Sequence, residues 1–260
     1  YDTARAMKIP FMAGSSLPVT WRLPAKAMPM GSEVEAAVGI GYGGGESYGF
    51  HALEMVQCLV ERRAGGETGV KQVRCLSGDA VWRAMDEGMF DRKLLDAALK
   101  RLKRSPITRQ PKRPLRDLAK SPDMFVIEYR DGLKAFVLTL NGAVNEWGVA
   151  WKTATGTQKS TTFWTQEARP YMHFTYLVKG TEKMFHTGQP TWPAERTLMT
   201  SALLDALLIS KSKNGAVVRK HIGHEPIAAC HAAELQRFYT AEFNSYLNYH
   251  RPCGFATVEV

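Results

Sequence analysis

The chain has 260 residues, 45% of them hydrophobic and 23% charged, which is typical of a globular protein with a substantial core. It contains no apolar run of the roughly 20 residues that a membrane span needs and no secretory signal in its opening residues, so we predict a cytoplasmic protein. Its cysteines are far apart and lack a C-x-x-C spacing, which indicates reduced thiols rather than a disulfide frame or a metal site. They are Cys58, Cys75, Cys230 and Cys253.

The formal net charge of +9 is concentrated between residues 100 and 120, where nine cations accompany a single acid, Asp117. The same segment holds Pro106, Pro111 and Pro114, and no aromatic residue on which a nucleic-acid base could stack. We interpret the segment as a solvated linker that follows a helix. We therefore predict neither a nucleic-acid partner nor a membrane partner from the charge.

In chain order, the first 30 residues combine a helical pattern with extended chain. "YDTARAMKI" has helical spacing, "PFMAGSS" at 10–16 is typical of a short strand, and "LPVTWRLP" is extended. A helix followed by a strand is the repeat unit of a parallel α/β sheet. We therefore expect the chain to begin within such a domain.

A different pattern runs from residue 31 to about 210. Strands are predicted in "EVEAAVGIGYG", "VKQVRCLSG", "DMFVIEYRDG", "LKAFVLTLNG", "NEWGVAWKT" and "STTFWTQ". Helices are predicted in "FHALEMVQCLVERR", in residues 79–102 as one helix or as two broken near Gly88, in "HFTYLVKGTEKMFHTG" and in "PAERTLMTSALLDALLIS". Asp131-Gly132 and Asn141-Gly142 are predicted hairpin turns. Strands in hairpins with helices packed on one face indicate an α+β domain.

The stretch "GIGYGGGESYGFHALE" at 39–54 allows two functions. Gly39, Gly41 and Gly44 spell the G-x-G-x-x-G phosphate-binding pattern, but the following helix is predicted to start too late for that role. Alternatively, His51 and Glu54 share a face in the first helical turn, where a histidine can shuttle protons to a hydroxyl or carbonyl group. A buried or capping histidine would explain the same pattern without any function.

"GGGESYGFHALE" is similar to the G-G-x-x-x-D-x-G-x-H-x-x-D segment of the glucose–fructose oxidoreductase/inositol dehydrogenase (Gfo/Idh/MocA) family. Matched by position, the family's catalytic histidine falls on His51, the glycine before it on Gly49 and the later acid on Glu54. The family's first aspartate falls on Ser47, with Glu46 the nearest carboxylate. Further similarity lies in "IPFMAGSSLPVTWR", "YGFHALEMVQCLVERRAGGETGV" and "PAERTLMTSALLDALL", so the resemblance covers about residues 1–210.

The resemblance implies a Rossmann domain that carries NAD(P), followed by an α+β domain with an open, largely antiparallel sheet that mediates homo-oligomerisation. Residues 1–30 would be a remnant of the last helix and strand of the Rossmann domain, and residues 31–210 the substrate domain. The dinucleotide-binding half is expected to be missing, so a cofactor is implied only by family. The implied catalytic residues are His51, Glu54 and Glu46, and the implied sugar-binding residues are Tyr48, Arg22 and Trp21, with no metal.

Residues 211–260 resemble the C-terminal part of insertion-sequence transposases with a DDE core, which suggests a chimeric reading frame. The metal-binding glutamate of that family falls on Lys211, and both preceding aspartates are missing. Without these carboxylates two Mg²⁺ ions have no ligands, so we predict no transposase activity. The spacing of the tail histidines, at positions 221, 224, 231 and 250, also makes a poor zinc site.

Three functions remain open from the sequence. The first is the sugar-binding half of an NAD(P)-dependent oxidoreductase with His51 as the acid/base. The second is a cofactor-independent glycoside hydrolase or lyase that uses a carboxylate pair, either Glu46 with Glu54 or Glu128 with Asp131. The third is a non-catalytic oligomeric fragment held together by its sheet.

Overall fold

A sheet of seven strands forms the centre of the computed structural model, which describes residues 1–166 and 168–219. The strands are β1 (Arg22–Leu23), β2 (Val34–Gly41), β3 (Val70–Ser77), β4 (Asp123–Tyr129), β5 (Lys134–Thr139), β6 (Trp147–Thr153) and β7 (Gln158–Phe163). The helices are α1 (Asp2–Ala6), α2 (Tyr48–Val60), α3 (Asp79–Asp86), α4 (Arg92–Leu99), α5 (Pro106–Arg109), α6 (Leu115–Leu118), α7 (Thr175–Thr187) and α8 (Glu195–Ser212). Two short 3-10 helices span Leu17–Val19 and Met172–Phe174.

The strand order is β1-β7-β6-β2-β5-β4-β3, and β2 with β5 is the parallel pair among otherwise antiparallel neighbours. This confirms the predicted class, an α+β fold with an open, largely antiparallel sheet. Because β2 and β5 run the same way, their carboxyl ends meet at one edge of the sheet. The loop that leads from β2 into α2 therefore lies beside the end of β5.

Only one of the two predicted hairpin turns is a hairpin turn. Asp131 and Gly132 join β4 to β5, which pair directly from Asp123 with Thr139 to Glu128 with Lys134. The prediction for Asn141-Gly142 is wrong, because β2 lies between β5 and β6 in the sheet. Asn141 instead holds the loop after β2 through hydrogen bonds of its side chain.

Helices cover both faces of the sheet, which corrects the prediction of a single covered face. One core contains α2 and α8 against one face, and a second contains α3, α4 and α6 against the other. In β5, Val137 belongs to the first core and the adjacent Leu138 to the second. Such a continuous apolar run is typical of a strand that is buried on both faces.

Residues 79–102 form two helices, one of the two alternatives that the sequence left open. α3 ends at Asp86, and Gly88 follows with a positive φ of 73° that a residue with a side chain rarely adopts. α4 then begins after Asp91, whose carboxylate accepts a hydrogen bond from the Lys93 backbone N–H at 2.9 Å.

Two segments differ from their predicted conformations. The strand predicted at 10–16 does not form, because side chains rather than a neighbouring strand hold its backbone: the Ala13 carbonyl accepts from Trp192 Nε1 and Thr197 Oγ1, both at 2.9 Å. The segment 100–120 is not a free linker, since it contains α5 and α6 and buries Leu102 and Leu115 in the second core.

The predicted boundary at residue 211 falls at the end of α8, which continues to Ser212. Beyond it, Val218 pairs with Val73 of β3 through two backbone hydrogen bonds of 2.9 Å, so residues 211–219 lie against the sheet edge. The domain boundaries and the transposase resemblance remain predictions. The tail histidines, Cys230 and Cys253 lie outside the described residues. Within the described ranges, no helix has both the length and the apolar character to cross a membrane.

Candidate functional site

A row of side chains crosses the sheet at the edge where β2 and β5 end, on the face that α2 covers. Strand register places Asp123 opposite both Ser77 and Thr139, and Gly41 beside Thr139. Trp147 lies over Gly41, where an added Cβ would meet the indole at 2.5 Å. The row ends with Phe163 and Arg22 at β7 and β1. The start of α2 lies above this row.

The Asp123 carboxylate in this row is fully engaged with its neighbours. Ser77 Oγ donates to Asp123 Oδ1 at 2.6 Å, and Lys211 Nζ contacts Asp123 Oδ2 at 2.6 Å. Gly45 of the loop above packs against the same carboxylate, since an added Cβ would lie 3.3 Å from Oδ2. The cluster anchors the loop and the end of α8 to the sheet.

The glycines at 39–44 do not form a dinucleotide cradle. Gly39 and Gly41 lie within β2, where an added Cβ on Gly39 would clash with Val56 of α2 and one on Gly41 would clash with Trp147. These two glycines therefore let α2 and an indole pack closely on the sheet, rather than forming a turn around a pyrophosphate. The described glycine pattern does not fit NAD(P).

Asn141 holds the loop between β2 and α2. Its amide oxygen accepts a hydrogen bond from the Gly43 N–H at 2.6 Å, and its amide nitrogen donates to the Gly43 carbonyl at 2.9 Å. The side chain thus replaces a strand neighbour for a glycine with a φ of 88°. The sequence suggested only a turn at this position, because the neighbour in space is 98 residues away.

His51 lies in the first turn of α2 and is half-buried. Its Nδ1 lies 2.8 Å from Ser15 Oγ, and Ser15 Oγ also accepts from the Leu17 N–H at 3.1 Å. Burial lowers the pKa of His51 below its ordinary value, and nearby Glu54 opposes this shift. The shift favours the neutral imidazole. No hydrogen bond joins Nε2 to any residue of the described chain, so this nitrogen is available to a ligand.

Three aromatic rings pack together beside His51 and form what we call the aromatic platform: Tyr42, Tyr48 and Trp147. Tyr48 stacks on Trp147 with a centroid distance of 6.1 Å and an interplanar angle of 8°, and Tyr42 lies 4.9 Å from the same indole. His51 meets the Tyr48 ring edge-on at 6.0 Å and the Trp147 ring at 6.5 Å. Tyr48 keeps 38% of its surface exposed, whereas Trp147 is buried, so it is the Tyr48 ring that is open to solvent beside the imidazole. The exposed Glu46 lies in the loop just before it.

Glu54 is buried, whereas His51 is half-buried, although the sequence placed the two residues on one helix face; Ser15 links them, since its backbone N–H donates to Glu54 Oε2 at 3.4 Å. The glutamate has no exposed surface, and its carboxylate contacts Arg196 Nη1 at 2.8 Å and Thr200 Oγ1 at 2.5 Å, both in α8. Arg196 also contacts Glu61, the residue that follows the end of α2, at 2.8 Å. The expected catalytic glutamate is thus part of a buried ion-pair network that clamps α2 to α8.

Arg22 and Trp21 also lie apart from His51. Arg22 is buried at 4% exposure, stacks over Phe163 at 4.4 Å and donates to the Pro18 carbonyl at 3.1 Å. Trp21 contacts Trp164, with ring centroids 5.0 Å apart, and donates to the Tyr176 hydroxyl at 3.3 Å. Of the six predicted site residues, the structure places His51 and Tyr48 in contact, and Glu46 is exposed in the loop that leads to them.

No family model matches the chain, and no curated protein matches it. Among the solved structures to which it is similar is an NAD-binding protein from Listeria innocua, with 11% identity and a TM-score of 0.37, covering 74% of this chain and 57% of the other. A second is an inositol dehydrogenase homolog from Azotobacter vinelandii complexed with NADH and myo-inositol, with 10% identity and a TM-score of 0.35, covering 72% of this chain and 57% of the other. A third is an aldose-aldose oxidoreductase from Caulobacter crescentus complexed with glycerol, with 12% identity and a TM-score of 0.36, covering 72% of this chain and 55% of the other.

The chain spans a little over half the length of each of these structures. At such TM-scores the similarity carries no argument about activity. The functional conclusion therefore depends on the site itself and on the sequence motif.

Proposed function

We propose that this chain binds a sugar or another polyol at the start of α2, and that His51 exchanges a proton with a substrate hydroxyl. The chain would then be the substrate-binding half of an NAD(P)-dependent oxidoreductase. One observation carries the proposal: a half-buried His51, whose pKa is lowered by burial, is fixed through Nδ1 by Ser15 while Nε2 remains available beside the exposed Tyr48 ring.

The surroundings of His51 suit a polyol. A sugar presents C–H groups on its ring face and hydroxyl groups at its edge, so it combines apolar and hydrogen-bonding contacts. The exposed Tyr48 offers the flat apolar surface, while Glu46 and Asn141 on the adjoining loops are exposed polar side chains. Asn141 already holds Gly43, so its main effect is to position the loop.

The hydrogen bond between His51 and Ser15 is compatible with both directions of proton transfer. With the proton on Nδ1, the imidazole donates to Ser15 Oγ, and Nε2 carries the lone pair that accepts a hydroxyl proton. In the other tautomer Ser15 donates to Nδ1, and the Nε2–H can return a proton to a carbonyl oxygen. A pKa that burial keeps low favours the neutral ring in both cases.

When bound, NAD(P) would supply the hydride acceptor for oxidation of the hydroxyl-bearing carbon. The family resemblance implies this cofactor, and the glycines of β2 do not fit it. The described residues therefore account for substrate binding and proton transfer, and we assign no cofactor contact to them.

No observation favours hydrolysis by a carboxylate pair. Glu54 is sealed against Arg196, and Asp131 contacts Arg63 at 2.6 Å. A hydrogen bond from Lys71 is the main cause that lowers the pKa of Glu128, whereas a general acid in glycoside hydrolysis needs a raised pKa.

An NMR titration tests the proposal on the full chain. The imidazole signals of His51 and His173 are followed while a panel of polyols and pyranoses, including myo-inositol, is added. His173 is a matched control, because burial also lowers its pKa and it lies away from α2 in the turn at Met172–Phe174. We expect a saturable shift of the His51 signals with at least one polyol and no shift at His173. Absence of any shift, or equal shifts at both histidines, would contradict the proposal and favour the non-catalytic fragment.

A second measurement tests whether this chain binds the cofactor. Titration with NADH should give no nicotinamide fluorescence change at micromolar concentrations. Tight binding that a Gly44→Ala change abolishes would show that the glycine loop is a nucleotide site after all.

A further inference from the structure

The surface over the second core lies on the opposite face of the sheet from His51 and is strongly positively charged. The segment 100–120 holds nine of the protein's 34 lysines and arginines and one of its 25 acids, on two short helices and their connections. We call this segment the basic surface.

The basic surface is held on a fixed frame. Leu102 and Leu115 are buried in the core beneath it, and Ser105 has no exposed surface. Ser105 Oγ donates to Glu146 at 2.7 Å, and the Ile107 N–H bonds the Ala143 carbonyl at 2.9 Å. A partner would therefore meet charges on an ordered backbone, and binding would not need to order a flexible tail.

Part of the charge is already neutralised within the protein. Arg104 contacts Glu146 at 3.5 Å and Arg116 pairs with Asp86, while Arg101 and Arg113 keep their charge but are held by hydrogen bonds to Ser160 (2.9 Å) and Gln110 (3.2 Å). Five exposed cations of the segment have neither a hydrogen bond nor an ion pair from their side chains to any residue that the structure describes. They are Lys100, Lys103, Arg109, Lys112 and Lys120.

The chemistry of the surface discriminates between polyanions. The leucines of the segment point into the core, so no exposed apolar side chain is present there to insert into a lipid layer. The segment also lacks aromatic residues, which single-stranded nucleic acids use for stacking. The segment therefore offers a partner positive charge without apolar or stacking contacts. Such a surface is complementary to the evenly spaced phosphates of a duplex.

We infer that the basic surface binds the phosphate backbone of double-stranded nucleic acid without sequence preference. This inference is independent of the proposed polyol site. The composition alone favoured a solvated linker and no nucleic-acid partner. The folded frame and the five unpaired cations are the observations that change this interpretation.

Fluorescence anisotropy with a labelled mixed-sequence DNA duplex tests the inference. If each of the five cations neutralises one phosphate, the slope of log K against log salt is about −4 to −5, and affinity falls several hundredfold between about 50 and 200 mM salt. A variant with all five changed to glutamine should bind at least tenfold more weakly at low salt and show a much flatter slope. Circular dichroism confirms that each variant is folded.

A matched control removes the same charge from elsewhere on the surface by changing five other exposed cations to glutamine: Arg5, Lys8, Lys26, Lys179 and Lys213. This control should retain most of the affinity. The inference is overturned if the wild-type protein binds no duplex at low salt, if both variants lose affinity equally, or if anionic vesicles or polyglutamate compete as well as unlabelled duplex.

Discussion

Two successive turns of α2 carry titratable groups in opposite environments. In the first turn, His51 meets a serine hydroxyl and the exposed Tyr48 ring, and it keeps a ring nitrogen available. One turn later, Glu54 is closed in by Arg196 and Thr200 of α8. The residues are three positions apart, so sequence spacing treats them as a pair. Burial by α8 makes Glu54 part of a structural ion pair, while His51 remains a candidate proton carrier.

The buried end contains a wider network than one ion pair. Gln57 donates to Glu61 at 3.4 Å and accepts from the Tyr129 hydroxyl at 2.7 Å, and Arg63 stacks over the Tyr129 ring at 4.6 Å. Buried charges are tolerated only when they are paired and hydrogen-bonded. This end of α2 therefore fixes the helix on the sheet and lets the other end hold a reactive group in place.

Replacing Arg196 by methionine should have the largest effect of the changes considered. Glu54 and Glu61 would be left buried without their shared cation, which costs about 3 to 5 kcal/mol of unfolding free energy. Urea denaturation measures the loss. The matched control is Arg92→Met, which removes an exposed ion pair with Asp96 (3.3 Å) and should cost less than about 1 kcal/mol. Equal losses in the two variants would contradict a structural role for the network.

Gly39→Ala should destabilise the protein by about 1 to 3 kcal/mol, because its new methyl group would push Val56, and with it α2, away from β2. Gly44→Ala is the control, since its Cβ would meet Ser47 Oγ at an ordinary 3.6 Å, and its effect should stay within about 0.5 kcal/mol. Thermal or urea denaturation distinguishes the two. A tolerated Gly39→Ala would argue against the packing role that we assign to this glycine.

Asn141→Ala should cost about 0.5 to 1.5 kcal/mol for the loss of its hydrogen bonds to Gly43. Because the loop before His51 loses its anchor, any polyol affinity detected by the NMR titration should fall as well. Asn145→Ala is a useful comparison, as Asn145 contacts Ser105 on the far side of the molecule (3.0 Å). Unchanged polyol affinity in Asn141→Ala would show that the loop is not part of the site.

The smallest expected effect is on the pH dependence of stability. Burial lowers the pKa of His51, so the unfolded chain binds more protons than the native protein between that lowered value and the ordinary value of about 6.5. The free energy of unfolding therefore rises with pH across this window and falls as the solution is acidified. His51→Gln should flatten the dependence, measured by urea denaturation at a series of pH values. His173→Gln should remove a separate contribution of the same sign.

Much of the fold was predictable because the pattern of apolar residues is local. The alternation and length of β2, the helical period of α2 and α8, and the Asp131-Gly132 turn all correspond to elements of the structure. The second covered face was missed although the apolar run in β5 indicates it. The strand predicted at 10–16 was wrong, because its backbone found side-chain partners from α8 and its surroundings instead of a ladder.

The candidate site was predictable only in part. The motif around His51 singled out the first turn of α2, while Ser15, Asn141 and Trp147 are 36 to 98 positions from the residues that they contact there. No local pattern connects residues at such separations. The family resemblance suggested Arg22 and Glu54 as site residues, but the structure buries both.

The sequence by itself determined where most of the helices and strands lie, where the positive charge is concentrated and which histidine follows a glycine loop into a helix, because each depends on neighbouring residues. Only the tertiary structure decided that Gly39 and Gly41 are packing residues, that Glu54 is a clamp between helices, and that the basic segment is a folded surface. The physical reason is that burial and pairing depend on which distant element covers a side chain, and burial sets whether a charged group stabilises the fold or remains available to a ligand.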